Sequence, residues 1–123
     1  VKLLLAILPT VLLTAYSQLI VKWRVTQLAA AAEAPTGMLA RALHYLSDLY
    51  VLSACVGSLL SAIAWFYVAE RYPVSIAFPA YVGVLFAIVT TGGVLLLDET
   101  VTAPHLLGLG LILAGVAMVS RVT

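Results

Sequence analysis

Apolar residues run along this chain in four long blocks, separated by short polar intervals. Leu3 to Val21 carries no charge, and neither do Leu49 to Ala69, Val74 to Leu97 or the stretch following His105 to Ser120. A helix needs about 20 mainly apolar residues to cross the hydrocarbon core of a bilayer. Transmembrane helices are therefore predicted at about 3–21, 49–69, 74–97 and 104–120. The last begins near Ala103-Pro104, where a proline suits a first helical turn. The expected fold class is an all-α membrane protein, with one domain of four transmembrane helices over residues 1–123.

The polar intervals differ in kind. Glu70-Arg71-Tyr72-Pro73 and Asp98-Glu99-Thr100-Val101-Thr102 are tight turns that force their flanking helices antiparallel. The first interval is longer, about 22–48, with an alanine run and then the turn signal Pro35-Thr36-Gly37. After it, Leu39, Ala42, Leu43 and Leu46 share one helical face, with Arg41, His44 and Asp48 off it. This pattern fits a short interfacial helix, and equally an early start of the second span.

Composition supports the membrane reading. Hydrophobic residues make up 64% of the chain and charged ones 9%, against about 25% charged in a soluble domain. So small a domain could not bury that apolar surface by itself. A net charge of +1 gives no basic face for nucleic acid. Lys22-Trp23-Arg24, rather than a small-residue cleavage site, follows the first block, which reads as a retained span. Orientation is balanced: Lys2, Arg71 and Arg121 fall on one side, Lys22, Arg24 and Arg41 on the other. The positive-inside rule has nothing to act on, which leaves insertion in both orientations open.

No acid falls within a span: Glu33, Asp48, Glu70, Asp98 and Glu99 all sit at helix ends or in loops. The usual intramembrane proton or cation site is missing. The first span is nevertheless polar along one row: Thr10, Thr14, Gln18 and Lys22 recur every four residues, with Ser17 beside them. The row serves helix–helix hydrogen bonding, or forms a seam for a headgroup whose phosphate Lys22 attracts. The second span has a small-residue face of Ala54, Gly57, Ser58, Ser61 and Ala62, expected to pack. Trp65 and Tyr67 near its end are expected at the interface, and Cys55 as a small buried residue. In the third span Pro79 predicts a kink and Gly83 a close backbone approach, a hinge flanked by Phe78 and Tyr81 as substrate-facing aromatics. Gly108 and Gly115, seven apart in the fourth, predict a dimer seam, and His105 an interface residue. Neither a nucleophile with its base nor metal-ligand spacing nor a phosphate loop appears, so no enzyme, metal or cofactor is expected.

Three stretches resemble a known family. "DETVTAPHLLGLGLILAGVAMVS", with Glu99, Gly108 and Gly115, resembles the closing helix of drug/metabolite transporter superfamily proteins, EamA-like members included. "ERYPVSIAFPAYVGV" and "SQLIVK" resemble the matching stretches of its four-helix members. The resemblance spans the chain except Ala29 to Arg41, and implies a small-multidrug-resistance-like, dimeric bundle. Small multidrug resistance proteins carry an essential glutamate eight residues before the first-helix lysine; here that position is Thr14. The four-helix subunits that flip undecaprenyl-phosphate-linked aminoarabinose are the closer likeness. Gln18, Leu19 and Lys22 match their Gln-Leu-x-x-Lys motif, and Pro73, Val74, Ile76, Ala77, Phe78 and Pro79 their second motif.

The resemblance implies a multi-pass protein of the bacterial inner membrane that flips a polyprenyl-phosphate-linked sugar or similar anionic lipid. It would work as a homodimer or as a heterodimer with a paralogue. Thr14, Ser17, Gln18, Lys22, Phe78 and Tyr81 are the expected substrate contacts. Export of a small cationic compound, or an accessory role beside a membrane glycosyltransferase, remain the alternatives.

Overall fold

The computed structural model describes residues 2–31 and 35–121; Glu33 lies outside them. It holds five helices: α1 (Lys2–Ala30), α2 (Met38–Leu46), α3 (Leu49–Arg71), α4 (Val74–Leu97) and α5 (Ala103–Ser120). All but α2 are long and apolar enough to cross a membrane. The chain is a multi-pass membrane protein.

Helix α1 runs well past Lys22. At a rise of about 1.5 Å per residue its 29 residues span about 43 Å, more than the hydrocarbon thickness of about 30 Å. Nothing in Val25 to Ala30 opposes helix, and the alanines favour it. The interval thus becomes a helical extension and a separate helix. Gly37, at φ 96°, precedes α2, a conformation that favours glycine. The Asp48 carboxylate caps α3, accepting hydrogen bonds from the Tyr50 and Val51 amides at 3.1 and 3.3 Å. Pro73 precedes α4. Asp98, in the left-handed region at φ 54°, ends it, and the Thr102 hydroxyl accepts from the His105 amide to open α5.

Helix α1 is the hub. It packs along α3 and against α4, whereas α5 packs chiefly on α4 and α2 on α3. Close approach is built from small residues. A β-carbon at Gly57 would lie 2.9 Å from Ser17 Oγ, so α3 meets α1 there nearly backbone to backbone. Ala54, Gly57 and Ser61 carry this seam, while Ser58 and Ala62 of the expected small face point outward. Cys55, expected inside, is exposed: on a helix of this pitch it faces away from Ala54 and Gly57.

Polarity is inverted relative to a water-soluble protein. Thr10, Ser17 and Ser61 are buried, while Leu5, Leu59, Leu95, Leu96, Leu107 and Leu111 are exposed. In lipid, apolar side chains lose nothing by facing out, and polar groups must find partners inside. Helix α2 follows the same rule. Its apolar residues Met38, Leu39, Leu43 and Leu46 are exposed, while Arg41, His44 and Tyr45 on the opposite side are half-buried.

Candidate functional site

The row of polar residues on α1 does not stay on one face. A four-residue step overshoots a helical turn by about 40°, so three steps rotate Lys22 by about 120° from Thr10. Accordingly Thr10 is buried and Thr14 half-buried, while Gln18 and Lys22 are exposed. Ser17, two turns from Thr10, stays inside.

Thr14 sits at the junction of α1, α3 and α4. The Tyr81 hydroxyl donates to Thr14 Oγ1 at 3.0 Å. Ser61 Oγ donates to the Thr10 carbonyl at 3.2 Å, which uses its one proton. The contact of 2.5 Å between Thr14 Oγ1 and Ser61 Oγ is therefore donated by Thr14. The result is a one-way chain, Tyr81 to Thr14 to Ser61 to a backbone carbonyl, in which each bond polarises the next. Thr10 Oγ1 lies buried beside it with no hydrogen-bond partner among the described residues.

Aromatic rings pack around the Tyr81 end. Trp65 lies 5.3 Å from Tyr81 and 6.3 Å from Phe78, centroid to centroid, and Phe78 lies 6.0 Å from Tyr81. Trp65 of α3 thus packs on both α4 rings. Tyr67 sits under the Arg71 guanidinium at 3.7 Å.

The structure brings Thr14 and Tyr81 together, with Phe78 at the half-exposed rim. Ser17 is turned away, its hydroxyl held by the Ala54 and Leu13 carbonyls at 2.7 and 3.0 Å. Gln18 makes no hydrogen bond among the described residues and does not join the cluster. Sequence reasoning did not assign Ser61, Trp65 or Thr10 to the site. Thr10 had a signal, its place in the Thr14 row; Ser61 and Trp65 needed the helix pairing.

Lys22 lies about 12 Å further along α1 than Thr14 and lines a different feature. A cavity of about 940 Å³ opens between α1, the end of α4 and the α4–α5 turn, lined among others by Lys22, Gln27, Asp98, Glu99 and His105. At the nearby α1–α3 contact Arg24 pairs with Asp48 at 3.0 Å and covers the Tyr50 ring at 5.2 Å.

Pro79 lies inside α4, where it cannot donate the usual bond to the Ser75 carbonyl. A β-carbon at Gly83 would collide with Val116 Cγ2, so α5 packs tightly on α4 at Gly83. Around Gly108 and Gly115 nothing lies within reach of an added β-carbon, and that side of α5 is open.

These features define a class: a four-span helical membrane bundle with a cluster of hydroxyls and aromatic rings, and no acid, where α1, α3 and α4 meet. One known protein, the probable 4-amino-4-deoxy-L-arabinose-phosphoundecaprenol flippase subunit ArnE of Pseudomonas syringae pv. syringae (strain B728a), is 40% identical over 76 residues, 62% of this chain and 68% of the relative. The chain belongs to the ArnE family. No family model and no solved structure matches it.

Proposed function

We propose that the protein is one subunit of a dimeric flippase that carries a polyprenyl-phosphate-linked sugar across the inner membrane. The kinship with an aminoarabinose-lipid flippase subunit carries this reading. The chemistry of the site supports it. A carboxylate beside Thr14 would repel a phosphate and would itself be costly at that depth, by about 2.5–3.5 kcal/mol on insertion scales. Hydroxyls offer a sugar hydrogen bonds without that charge.

The open side of α5 supports a dimer. Four spans enclose little, and a second copy or a paralogue seated along Gly108 and Gly115 would complete the path. Bending of α4 at Pro79, where one backbone bond is missing, would move α5 with it through the Gly83–Val116 contact.

A strain lacking its own subunit, with outward display of the lipid-linked sugar measured by a membrane-impermeant label, tests the reading. The wild-type chain, with its partner if one is needed, restores display. Failure to restore it, with the protein present in the membrane, would reject the function.

Export of a small cationic compound has one observation in its favour. The Trp65, Phe78 and Tyr81 rings could face a cation. Energised vesicles that concentrate a cationic dye only when the protein is present would favour this second reading.

A further inference from the structure

We propose that the Lys2 end of the bundle is a closed gate in the transport path, and that the first two turns of α1 open it by swinging at Pro9 into a cavity behind them. The inference rests on the reading that the protein moves a cargo across the membrane. It deepens that reading by naming the moving part, and it does not depend on what the cargo is.

The bundle is packed unevenly along its axis. One apolar cluster joins all four spans, with Leu3 and Ile7 of α1, Val68 of α3, Ala77 and Ala80 of α4, and Val116 of α5. The order of the helices puts each of these in the half nearer Lys2, and Ile7 and Val68 are fully buried. At the Lys22 end Leu19 still reaches Gly92. Beside that contact, however, the cavity of about 940 Å³ opens between α1 and the end of α4. Thr14 and Tyr81 lie between the two ends, with Tyr81 packed on the cluster. A cargo that entered by the cavity and reached those hydroxyls would meet the cluster next.

The α1 side of this cluster is built to move. Pro9 lies inside α1 and cannot donate the usual bond to the Leu5 carbonyl, so the helix resists bending least at that turn. Pro79 interrupts α4 at the same end of the bundle. There is also room behind the segment. A second cavity, of about 570 Å³, is lined among others by Leu5 and Pro9 of α1, Ala64 and Tyr67 of α3, and Tyr72. A two-residue step turns about 200° around a helix, so Leu5 and Pro9 face away from Leu3 and Ile7. The cavity therefore lies on the far side of α1 from the cluster. A swing of residues 2–8 into it withdraws Leu3 and Ile7 from Ala77, Ala80 and Val116. The rest of α1 is anchored: the Ser17 hydroxyl donates to the Ala54 carbonyl at 2.7 Å, and Arg24 pairs with Asp48 at 3.0 Å. On the other side of Pro9, the contacts of Leu3 and Ile7 with the cluster are apolar.

Pulsed electron paramagnetic resonance on the complete chain in nanodiscs, with its partner if display needs one, tests the gate. Spin labels go on Leu4→Cys and Val74→Cys, both exposed positions at the Lys2 end, in a Cys55→Ala background. Labelled chains are diluted in unlabelled ones, so that only distances within one chain are read. This parent chain is expected to show two distances differing by about 4 Å, the travel of a roughly 10 Å arm through a kink of about 20°. Pro9→Ala, which restores the backbone bond with a better helix former, should remove the longer distance and lower sugar-lipid display about 5-fold by holding the gate shut. Ala64→Phe, which fills the cavity, should do the same with the proline in place. Ile63→Phe, adjacent but exposed, should change neither readout. A single distance in the parent chain, a longer distance that persists in both P9A and A64F, or display unaffected by both would each overturn the proposal. Transport separates the two ideas. Two distances without any display reject the flippase reading alone, and display through a chain with one fixed distance rejects the gate alone.

Discussion

At the residue scale, Thr14 carries the most contacts of functional interest. It accepts from Tyr81 and donates to Ser61. Hydrogen bonds between membrane helices average only about 0.6 kcal/mol, so Thr14→Val should cost about 1 kcal/mol of stability. Sugar-lipid display should fall at least 10-fold if the network handles substrate. Unfolding in mixed micelles measures the first and the impermeant label the second. A variant that lost stability and kept transport would leave the network a purely structural role. Gly83 makes the opposite case, where steric fit decides. Gly83→Ala should destabilise by about 1–3 kcal/mol through overpacking against Val116. Adding Val116→Ala should recover most of that loss, because the same methyl causes the clash.

At the element scale, α2 and α5 show how a membrane helix uses its faces. The outward apolar face of α2 predicts a helix lying against lipid. In a Cys55→Ala background, Leu43→Cys should react with a water-soluble maleimide several-fold more slowly than Thr36→Cys in the preceding turn. Equal rates would place the α2 face in water. For α5, Gly108→Leu with Gly115→Leu should shift the protein from dimer to monomer by crosslinking or light scattering. Monomer stability should be little altered, because nothing packs at either position within the described chain. A dimer that persisted would move the seam elsewhere.

At the scale of the whole molecule, the four spans were legible because bilayer thickness sets a length that hydropathy reports directly. Their ends were less so. The α1 extension to Ala30 lies in a stretch whose helix propensity is high but whose hydropathy falls off, so a hydropathy rule stops near Val21. The individual inner faces were harder still. Helices α3, α4 and α5 are apolar nearly all round, and periodicity cannot pick the packed side when both sides are apolar. The contact of Trp65 with Tyr81 and Phe78 therefore emerges only from the packing of α3 on α4.

The sequence by itself determined that this protein crosses a membrane with four helices, that no acid falls within them, and that Thr14 stands where a related branch has glutamate. These are properties of composition and position, and lipid acts on them locally. Only the tertiary structure decided which polar residues meet. It joined Thr14 to Ser61 and Tyr81, turned Ser17 toward Ala54, left Gln18 outside, and set Lys22 across a cavity from Asp98 and Glu99. The reason is geometric: the drift of a helical row and the choice of neighbouring helix set each side chain's direction, and neither is encoded by spacing along one helix.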